Sequence, residues 1–359
     1  MPGVYISYPF CAQKCTYCNF ASGVFPRALE PGYLESVRGE LRKTEWPWTP
    51  ETVYLGGGTP SLIEGGALAD LLAAVPGDQW LEATMEAAPG GITPDLAAGW
   101  RRAGINRVSL GVQSFHAREL ARTGRKHTAE IVEQEIGILR VAGIDNFNVD
   151  LIAGLPGQTL ASWNASLDWV ERLNAPHVSV YMLEVDEDSR LGAEVLAFGQ
   201  RYGAPDIPCD DQIADFYELA VDRLAAAGVV RYEISNFARP GFESRHNLKY
   251  WRREPYFGFG ADAHSFDGRW RWQNPESIDE YLRRSAAART PADPVSERFF
   301  LGLRLDQGIP GDWSPFQAEI ERFLRDGLLE THGNAVRLTR RGVLLSNEVF
   351  AEFLGAPAA

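Results

Sequence analysis

Short β-rich runs alternate with longer helical patterns from the start of the chain to about residue 235. The runs typical of strands are Val4–Ser7, Thr52–Leu55, Leu81–Ala87, Arg107–Gly111, Asn146–Ile152, His177–Leu183 and Val229–Ile234. The helical patterns between them include Tyr33–Thr44, Pro94–Ala103, Ala129–Val141, Ser162–Leu173 and Gln212–Ala226. Because parallel neighbours need a crossover connection, this alternation predicts an α/β fold with a parallel sheet.

Six or seven strand–helix units favour a barrel or partial barrel, although the pattern leaves a three-layer sandwich open. In a barrel, functional side chains lie at the carboxyl ends of the strands and in the loops that follow them. The chain has 359 residues, which exceeds the roughly 250–300 residues at which a single core usually stops growing. We therefore expect one large domain with a smaller one attached.

The sequence pattern changes after residue 235. Residues 236–275 are rich in Arg, Gly and aromatic residues and show few periodic elements, which indicates a connecting segment at residues 236–292 after a core domain of residues 1–235. From residue 293 the predicted order is helix Ser296–Arg304, helix Phe316–Arg325, two short strands at Gly327–Glu330 and Ala335–Leu338, and a last helix near Arg341–Phe353. This order predicts a C-terminal α+β domain at residues 293–359 that resembles a winged helix.

Charge and hydropathy exclude several classes of function. There are 35 Lys and Arg residues against 48 Asp and Glu residues, and the resulting net charge of −13 argues against a nucleic-acid partner. No run approaches the ~18 apolar residues of a membrane span, and the N-terminus lacks the pattern of a secretory signal. We therefore expect a cytoplasmic protein whose thiols remain reduced.

Three of the four cysteines lie within eight residues, directly after the first predicted strand. Cys11, Cys15 and Cys18 follow a CxxxCxxC spacing, whereas Cys209 is isolated. A structural zinc site favours four ligands, often in paired CxxC motifs, and no second pair exists here. Three thiolates suit a [4Fe–4S] cluster that leaves one iron open to another ligand. The spacing therefore predicts an iron–sulfur centre.

This motif resembles that of the radical S-adenosylmethionine superfamily, which implies a partial (β/α)6 barrel, a [4Fe–4S] cluster and S-adenosylmethionine. A glycine-rich turn after the second strand resembles the glycine motif of the superfamily. Further polar residues follow near successive strand ends, where a barrel places ligand contacts. By this resemblance, the residues implied to contact S-adenosylmethionine are Tyr5, Tyr17, Gly57, Gly58, Thr59, Glu86, Gln113, Arg125 and Asp150.

Over almost its whole length the chain resembles the coproporphyrinogen dehydrogenase group and its HemW-like relatives. The stretches that carry this resemblance are GGGTPSLI, GVQSF, DLIAGLPGQT, YEISNFARPG and LTRRGVLLSNEVF. The oxidase branch usually has a further cysteine two residues after the triad, where this chain has Phe20, and an extension before the cysteines, for which ten residues leave no room. Both differences favour the haem chaperones of the HemW-like branch.

The segment Arg245–Trp251 matches the HNxxYW haem-binding motif of HemW-like proteins. The resemblance implies that His246, Asn247, Tyr250 and Trp251 bind haem, and an imidazole is a suitable ligand for haem iron. It also implies delivery of haem to an acceptor apo-haemoprotein, for which a membrane-associated respiratory enzyme is one option. The sequence does not decide whether the protein forms a homodimer, or what roles Cys209 and His264 have.

The sequence leaves two rival functions. One is oxygen-independent coproporphyrinogen III dehydrogenase, a radical oxidative decarboxylase, and the other is a different radical reaction on an unidentified substrate. An ordinary loop with a hydrogen-bonded histidine and two packing aromatic residues is the simplest alternative reading of the 245–251 segment. We expect a haem chaperone, and the sequence does not decide whether S-adenosylmethionine is cleaved or whether haem is held covalently.

Overall fold

A computed structural model describes residues 2–77, 79–283 and 287–354. A large sheet forms its centre. Its strands are β1 (Gly3–Tyr8), β2 (Thr52–Gly57), β3 (Glu82–Ala87), β4 (Arg107–Gln113), β5 (Asn146–Ala153), β6 (His177–Met182), β7 (Val230–Glu233), β8 (Asn236–Ala238), β9 (Tyr256–Phe259), β10 (His264–Phe266), β11 (Trp270–Gln273) and β12 (Thr290–Pro291). The accompanying helices are α1 (Glu30–Lys43), α2 (Gly65–Leu72), α3 (Pro94–Arg102), α4 (Ala117–Thr123), α5 (Ala129–Val141), α6 (Leu160–Leu173), α7 (Arg190–Leu196), α8 (Asp210–Ala226), α9 (Arg245–Trp251) and α10 (Ile278–Leu282).

Strands β1 to β6 lie side by side in chain order, and each is parallel to the next. Helices connect consecutive strands, as parallel pairing requires. The edge strands β7 and β12 do not pair with each other among the described residues, so the sheet stays open. The predicted partial (β/α)6 barrel is confirmed.

Apolar and polar side chains alternate along these six strands. The buried apolar set includes Val4, Ile6, Val53, Leu55, Val108, Leu110, Val149, Leu151, Val178 and Val180. The polar positions between them include Thr52, Tyr54, Glu82, Glu86, Arg107, Ser109, Asn148, Asp150, His177 and Ser179. Because successive side chains of a strand point to opposite faces, one face packs into the apolar core with the helices and the other gives the barrel a polar interior.

The seventh predicted strand does not extend the parallel series. Strand β7 pairs antiparallel with β8, and β8 pairs antiparallel with β6, because the chain reverses at Ile234–Ser235 without a crossover helix. Residues 236–292, which we predicted to be a connecting segment, contribute β8 to β12 to the main sheet. Strand β9 runs parallel to β1 on its free side, and β10 to β12 continue from it in antiparallel order.

The C-terminal part contains a second, smaller sheet. Its elements are α11 (Pro294–Gly302), β13 (Ile309–Pro310), α12 (Gln317–Arg325), β14 (Leu329–His332), β15 (Ala335–Leu338), α13 (Arg340–Leu344) and α14 (Ser346–Ala351). The three strands pair antiparallel in the order β13–β15–β14, which agrees with the predicted α+β character. The prediction of a single final helix is wrong. Two helices, α13 and α14, are present instead, because the backbone leaves helical geometry at Leu345, with φ −111° and ψ 28°. Residues 355–359 of the predicted domain lie outside the described residues.

Within the part of the chain that the structure describes, no helix is long and apolar enough to cross a membrane.

Candidate functional site

The loop that carries the three clustered cysteines follows β1 and is held by backbone hydrogen bonds. The Cys11 N–H donates to the Gly23 carbonyl at 2.8 Å. From the turn after β2, the Gly58 N–H donates to Tyr8 at 2.7 Å and the Thr59 N–H donates to Phe10 at 3.0 Å. A Cβ atom at Gly58 would lie 2.7 Å from the Phe10 carbonyl oxygen, so this close approach requires glycine.

The three thiols are free and partly exposed. Burial raises the pKa of the Cys11 thiol, an effect that the nearby hydroxyls of Ser22 and Thr59 oppose. Among the described residues, no three His, Cys, Asp or Glu side chains are gathered to hold a single metal ion. A four-iron cluster needs something different, because each thiolate binds a different iron and the ligands therefore spread apart. Three reduced thiols on one exposed loop fit such a cluster.

Arg125 and Tyr17 lie beside Cys15. Burial raises the pKa of the Tyr17 hydroxyl, and the charge of Arg125 opposes this rise. Burial alone would lower the pKa of Arg125, but the proximity of Tyr17 and Cys15 makes the net shift upward. The predicted residues Tyr17 and Arg125 thus lie together at the cysteine loop.

Glu86 lies near the end of β3 inside the barrel and forms hydrogen bonds to β2. Its carboxylate accepts hydrogen bonds from the Tyr54 hydroxyl at 2.9 Å and from the Gly57 N–H at 3.2 Å. A Cβ atom at Gly56 would lie 3.0 Å from Tyr5 and 3.1 Å from Glu86, so these two side chains flank the glycine turn. Burial raises the pKa of Glu86 to about 7. The predicted residues Tyr5, Gly57 and Glu86 are therefore neighbours.

Gln113 lies at a distortion at the end of β4. The register between β4 and β5 shifts between Leu110 and Gln113, and Gln113 has a φ of 70°. Its side chain and that of Arg125 both approach Gly111, where a Cβ atom would lie 3.1 Å and 3.3 Å from them. Positive φ at a non-glycine residue is costly and is frequent at ligand sites. The bulge turns Gln113 toward Arg125.

Asp150 lies in β5 within a network of short polar side chains. Its carboxylate accepts hydrogen bonds from Ser109 at 3.2 Å and from the Asn148 amide at 2.7 Å. Burial raises its pKa, while hydrogen bonds from Ser179 and Asn148 act in the opposite direction. Hydrogen bonds thus fix the Asp150 carboxylate on the inner face of the barrel.

Several buried polar atoms near the cysteine loop lack hydrogen-bond partners among the described residues. They include Nε of Arg125, which is a donor, and Nε2 of His127. Burial lowers the pKa of His127 to about 4, and the nearby Arg125 adds to this effect. Buried polar atoms without partners are uncommon, and a bound carboxylate would satisfy the Arg125 donor. The predicted set therefore fits a ligand such as S-adenosylmethionine, which has a carboxylate.

A segment that sequence analysis missed covers the cysteine loop. The Leu191 N–H, at the start of α7, donates to the Thr16 carbonyl at 2.8 Å, and Asn19 donates to Asp186 at 2.9 Å. The Thr16 N–H also bonds to Thr123 at 3.3 Å. Asp186 and Leu191 thus hold the middle of the cysteine motif. No short motif marks this segment in the sequence.

The HNxxYW segment lies at the other end of the barrel, where the strands begin. A Cβ atom at Gly3, the first residue of β1, would meet Lys249 and His246 at 3.0 Å and 3.1 Å. Thr52, the first residue of β2, bonds to Nδ1 of His246 at 2.8 Å. The cysteine loop and α9 therefore lie beyond opposite ends of the same parallel strands.

His246 is completely buried, and both of its ring nitrogens have hydrogen-bond partners. Nε2 lies 2.8 Å from the Tyr250 hydroxyl, and the ring stacks on Tyr54 with centroids 5.2 Å apart. Burial lowers its pKa to about 3, with Lys249 and Arg107 contributing. The imidazole is thus neutral, but neither nitrogen is free for iron in this conformation.

The other residues of the motif are partly buried. Tyr250 packs edge-on against Tyr256 with centroids 4.6 Å apart. Trp251 lies under the Arg304 guanidinium at 4.2 Å, and its buried indole N–H has no partner among the described residues. The N–H of Asn247 donates to the Ser244 hydroxyl at 3.3 Å, which caps α9. The motif is therefore well ordered around a buried histidine.

Sequence reasoning also missed two residues that join α9 to the barrel. Glu82, the first residue of β3, accepts hydrogen bonds from the N–H groups of Arg245 at 2.8 Å and His246 at 2.9 Å. Tyr54 donates to Glu86 and stacks on His246. The only available signal was the alternation of polar residues along β2 and β3, which places Tyr54 and Glu82 on the inner face.

The geometry agrees with comparisons to known families. The model of the Radical SAM superfamily matches residues 5–170, and the model of the HemN C-terminal domain matches residues 290–345. The partial barrel, with three cysteines in the loop after its first strand, thus defines a radical SAM protein. Membership of this superfamily implies a [4Fe–4S] cluster and S-adenosylmethionine.

Full-length relatives define the family more narrowly. The chain is 38% identical to the heme chaperone HemW of Mycobacterium tuberculosis, with 98% of this chain and 95% of that protein covered. It is 37% identical to the heme chaperone HemW of Escherichia coli, with 89% and 82% covered. For the heme chaperone HemW of Lactococcus lactis the identity is 33%, with 98% and 96% covered. The chain belongs to the HemW family.

A solved structure supports the fold. Coproporphyrinogen III oxidase (HemN) from Escherichia coli, described as a radical SAM enzyme, superposes with a TM-score of 0.82 at 22% identity. The match covers 98% of this chain and 89% of that one. The likeness therefore extends from the barrel through the C-terminal part.

Proposed function

We propose that this protein is a haem chaperone that binds a [4Fe–4S] cluster, S-adenosylmethionine and haem, and delivers haem to an acceptor haemoprotein. The observation that carries the proposal is the likeness to heme chaperones HemW at 33–38% identity over most or all of the chain. Delivery takes place in the cytoplasm, where free thiols remain reduced. The proposed acceptors include membrane-associated respiratory enzymes. We also propose that the protein forms a homodimer.

In this proposal Cys11, Cys15 and Cys18 hold the cluster. When bound and reduced, such a cluster would supply an electron for reductive cleavage of S-adenosylmethionine. Arg125 binds the carboxylate of S-adenosylmethionine through a charge-assisted hydrogen bond, and Asp150 binds its ribose hydroxyls. The unpartnered Nε of Arg125 and the placement of Asp150 on the inner barrel face support these roles.

The remaining members of the predicted S-adenosylmethionine set shape the site around these two residues. Gly57, Gly58 and Thr59 form the turn whose backbone lies against the cysteine loop. Tyr5 and Glu86 flank the glycine turn, Gln113 lies near Arg125, and Tyr17 lies beside Arg125 at the cysteine loop. Their mutual proximity supports a single ligand that spans the carboxyl ends of β1 to β5.

Haem binding is proposed at α9 through His246, Asn247, Tyr250 and Trp251. The likeness of this segment to HNxxYW supports the proposal. Ligation of iron by His246 requires that its Nε2 leave the Tyr250 hydroxyl, 2.8 Å away, because Nδ1 faces Thr52 inside the barrel. Binding of haem iron to His246 therefore requires Tyr250 to move.

The proposal is tested by anaerobic reconstitution of the cluster, followed by titration with haem and transfer to an apo-haemoprotein. We expect saturable haem binding, transfer to the acceptor and no S-adenosylmethionine-dependent conversion of coproporphyrinogen III. Phe20, which is 65% exposed where the oxidases have a further cysteine, is the reason for the last expectation. Protoporphyrinogen IX formation at catalytic turnover would instead identify an oxygen-independent coproporphyrinogen III dehydrogenase.

A further inference from the structure

The inner face of β4 carries an arginine that is buried without a partner. Arg107 is the first residue of β4 and is only 1% exposed. Its guanidinium has neither an ion pair nor a hydrogen bond among the described residues, and its Nε is a buried atom without an acceptor. Burial of a charge without a partner costs free energy, so arginine is almost never fully buried unless it is paired. Arg107 is therefore a buried charge that needs an explanation.

The neighbours of Arg107 in the sheet do not supply that partner. In the strand register, Thr84 of β3 and Asn146 of β5 lie on either side of Arg107. Because alternate residues of a strand share a face, these three side chains all belong to the inner face of the barrel. The Thr84 hydroxyl and the Asn146 side-chain oxygen are also buried without hydrogen-bond partners in the part of the chain that the structure describes. The layer around Arg107 is therefore polar but does not pair its charge.

Two carboxylates lie farther along the same inner face. Glu86 is two residues beyond Thr84 on β3, and Asp150 is four residues beyond Asn146 on β5. Burial raises the pKa of both carboxyl groups, and the charge of Asp150 raises that of Glu86 further. The charge of Arg107 opposes this rise in both groups. Because Arg107 has no ion pair of its own, its charge acts on both carboxylates.

The other ionisable groups that face the interior are neutral or have partners. Burial lowers the pKa of His177 well below 6.5 and that of His246 to about 3. Burial raises the pKa of the interior tyrosines, which are Tyr5, Tyr54, Tyr181, Tyr232 and Tyr250. Glu82 accepts from two N–H groups of α9, and Glu233 is paired with Arg304. The two carboxylates beyond Arg107 are therefore the groups whose charge depends on it.

The inner face of β4 places this charge away from the proposed ligand. Its side chains become smaller along the strand, from Arg107 through Ser109 to Gly111. At Gly111 the side chains of Gln113 and Arg125 approach the position of the missing Cβ atom at 3.1 Å and 3.3 Å. The residues proposed to contact S-adenosylmethionine thus lie at the carboxyl end of β4, and Arg107 lies at its amino end.

We infer that Arg107 is a positioning residue of the S-adenosylmethionine site, and that its unpaired charge keeps Glu86 and Asp150 in the ionised state that receives the ligand. This inference rests on the proposed function and makes its cofactor site more specific. S-adenosylmethionine has a positively charged sulfonium and ribose hydroxyl donors, and both favour ionised carboxylates. Arg107 acts through the two carboxylates and not by contact with the ligand.

The inference is tested by the pH dependence of S-adenosylmethionine binding to the reconstituted full-length protein. Anaerobic calorimetric titration between pH 6 and pH 9 gives the Kd at each pH and the midpoint of its change. The α-amino group of the ligand contributes equally to every profile, so a difference between two profiles belongs to the protein. In the wild type we expect the affinity to rise through pH 7, because the pKa of Glu86 is about 7.

Replacements of Arg107 separate the effect of its charge from that of its bulk. Arg107→Met and Arg107→Gln remove the cation, so the carboxylates ionise at higher pH and the midpoint rises by about 1 pH unit or more. Arg107→Lys keeps a positive charge, and its midpoint stays close to that of the wild type. Arg102→Met, at an exposed position in the last turn of α3, is the matched control and leaves the profile unchanged. Iron and sulfide content identifies the variants that fold, and either uncharged variant is sufficient.

The outcomes separate this inference from the proposed function. If the wild type binds no S-adenosylmethionine at any pH, the proposed function itself fails. If the uncharged variants bind more weakly by the same factor at every pH, with the midpoint of the wild type, Arg107 only supports the fold and the inference is overturned. It is also overturned if Arg107→Lys moves the midpoint as far as Arg107→Met does, because the charge is then not the cause.

Discussion

The isolated cysteine and the clustered cysteines have different surroundings. Cys209 is exposed at the start of α8, where its thiol donates to Gln212 at 3.5 Å. Cys11 and Cys15 lie beside Thr59 and Arg125, two residues of the predicted S-adenosylmethionine set. The clustered thiols therefore face the barrel site, whereas Cys209 belongs to a helix terminus.

This difference predicts the outcome of two substitutions. Cys209→Ser leaves the iron and sulfide content of the reconstituted protein at the wild-type level, because that thiol is not a cluster ligand. Cys15→Ser abolishes the cluster, because two thiolates do not hold it. Both are measured by iron and sulfide analysis together with the visible absorption of the cluster. Loss of iron in the Cys209 variant would contradict the assignment.

Glu86 makes the stability of the fold depend on pH. Its pKa is about 7 in the folded chain and 4.5 in the absence of burial. The folded state therefore binds the proton of Glu86 more tightly than the unfolded state does. Protonation of Glu86 makes its full contribution to the free energy of unfolding below pH 4.5, and this contribution is lost as the pH rises toward 7. The loss amounts to at most about 3 kcal/mol.

Glu86→Gln removes this titration. We expect the free energy of unfolding of the cluster-free wild type to fall between pH 5 and pH 8 relative to that of Glu86→Gln. Denaturant unfolding at pH 5, 6.5 and 8 measures the difference. A constant difference between the two proteins across this range would show that Glu86 does not titrate there.

At the scale of elements, β3 and α9 are joined by one carboxylate. Glu82 accepts from two N–H groups in the first turn of α9 and receives the Ser244 hydroxyl at 3.3 Å. Glu82→Ala leaves these buried donors without partners, which costs about 2–4 kcal/mol of unfolding free energy. Glu280→Ala, in the first turn of α10 at an exposed position, should cost less than about 0.5 kcal/mol. Denaturant unfolding of both variants compares the two.

The sequence predicts the parallel strands and most helices because their apolar residues recur with clear periods. It also places the cysteines and Glu86 correctly at the strand ends, since parallel order brings those ends together. It does not predict Glu82 or Tyr54 as functional, because a polar residue on the inner face of a strand looks like any half-exposed position. Nor does it predict that His246 is buried, since burial depends on β1, β2 and the distant α9 coming together.

At the scale of the whole molecule, Arg304 joins the sheet edge to the C-terminal part. Its guanidinium lies 3.7 Å from the buried Glu233 and 4.2 Å above the Trp251 ring. The Ile234 N–H also donates to the Arg304 carbonyl at 3.2 Å. Arg304, in the segment after α11, thus contacts both β7 and α9.

Arg304→Ala should loosen this junction. Removal of the cation leaves Glu233 buried without its charged partner, and we expect a loss of about 3–5 kcal/mol. Limited proteolysis between residues 287 and 310 and denaturant unfolding measure the effect. Arg322→Ala breaks an exposed ion pair with Glu352 and serves as control, with an expected change below about 1 kcal/mol. Equal protease resistance of the Arg304 variant and the wild type would exclude this role.

Tyr54 connects the two ends of the barrel through one side chain. Its hydroxyl bonds to Glu86 near the cofactor end and its ring stacks on His246 at the haem-motif end. Thermodynamic reciprocity then has a specific consequence: any factor by which S-adenosylmethionine changes the affinity for haem equals the factor by which haem changes the affinity for S-adenosylmethionine. Tyr54→Phe keeps the stacked ring but removes the hydroxyl. We therefore expect both factors to move by the same amount toward a value of 1, at which neither ligand affects the binding of the other. Calorimetric titration of each ligand, with and without the other, measures whether haem and S-adenosylmethionine change each other's affinity.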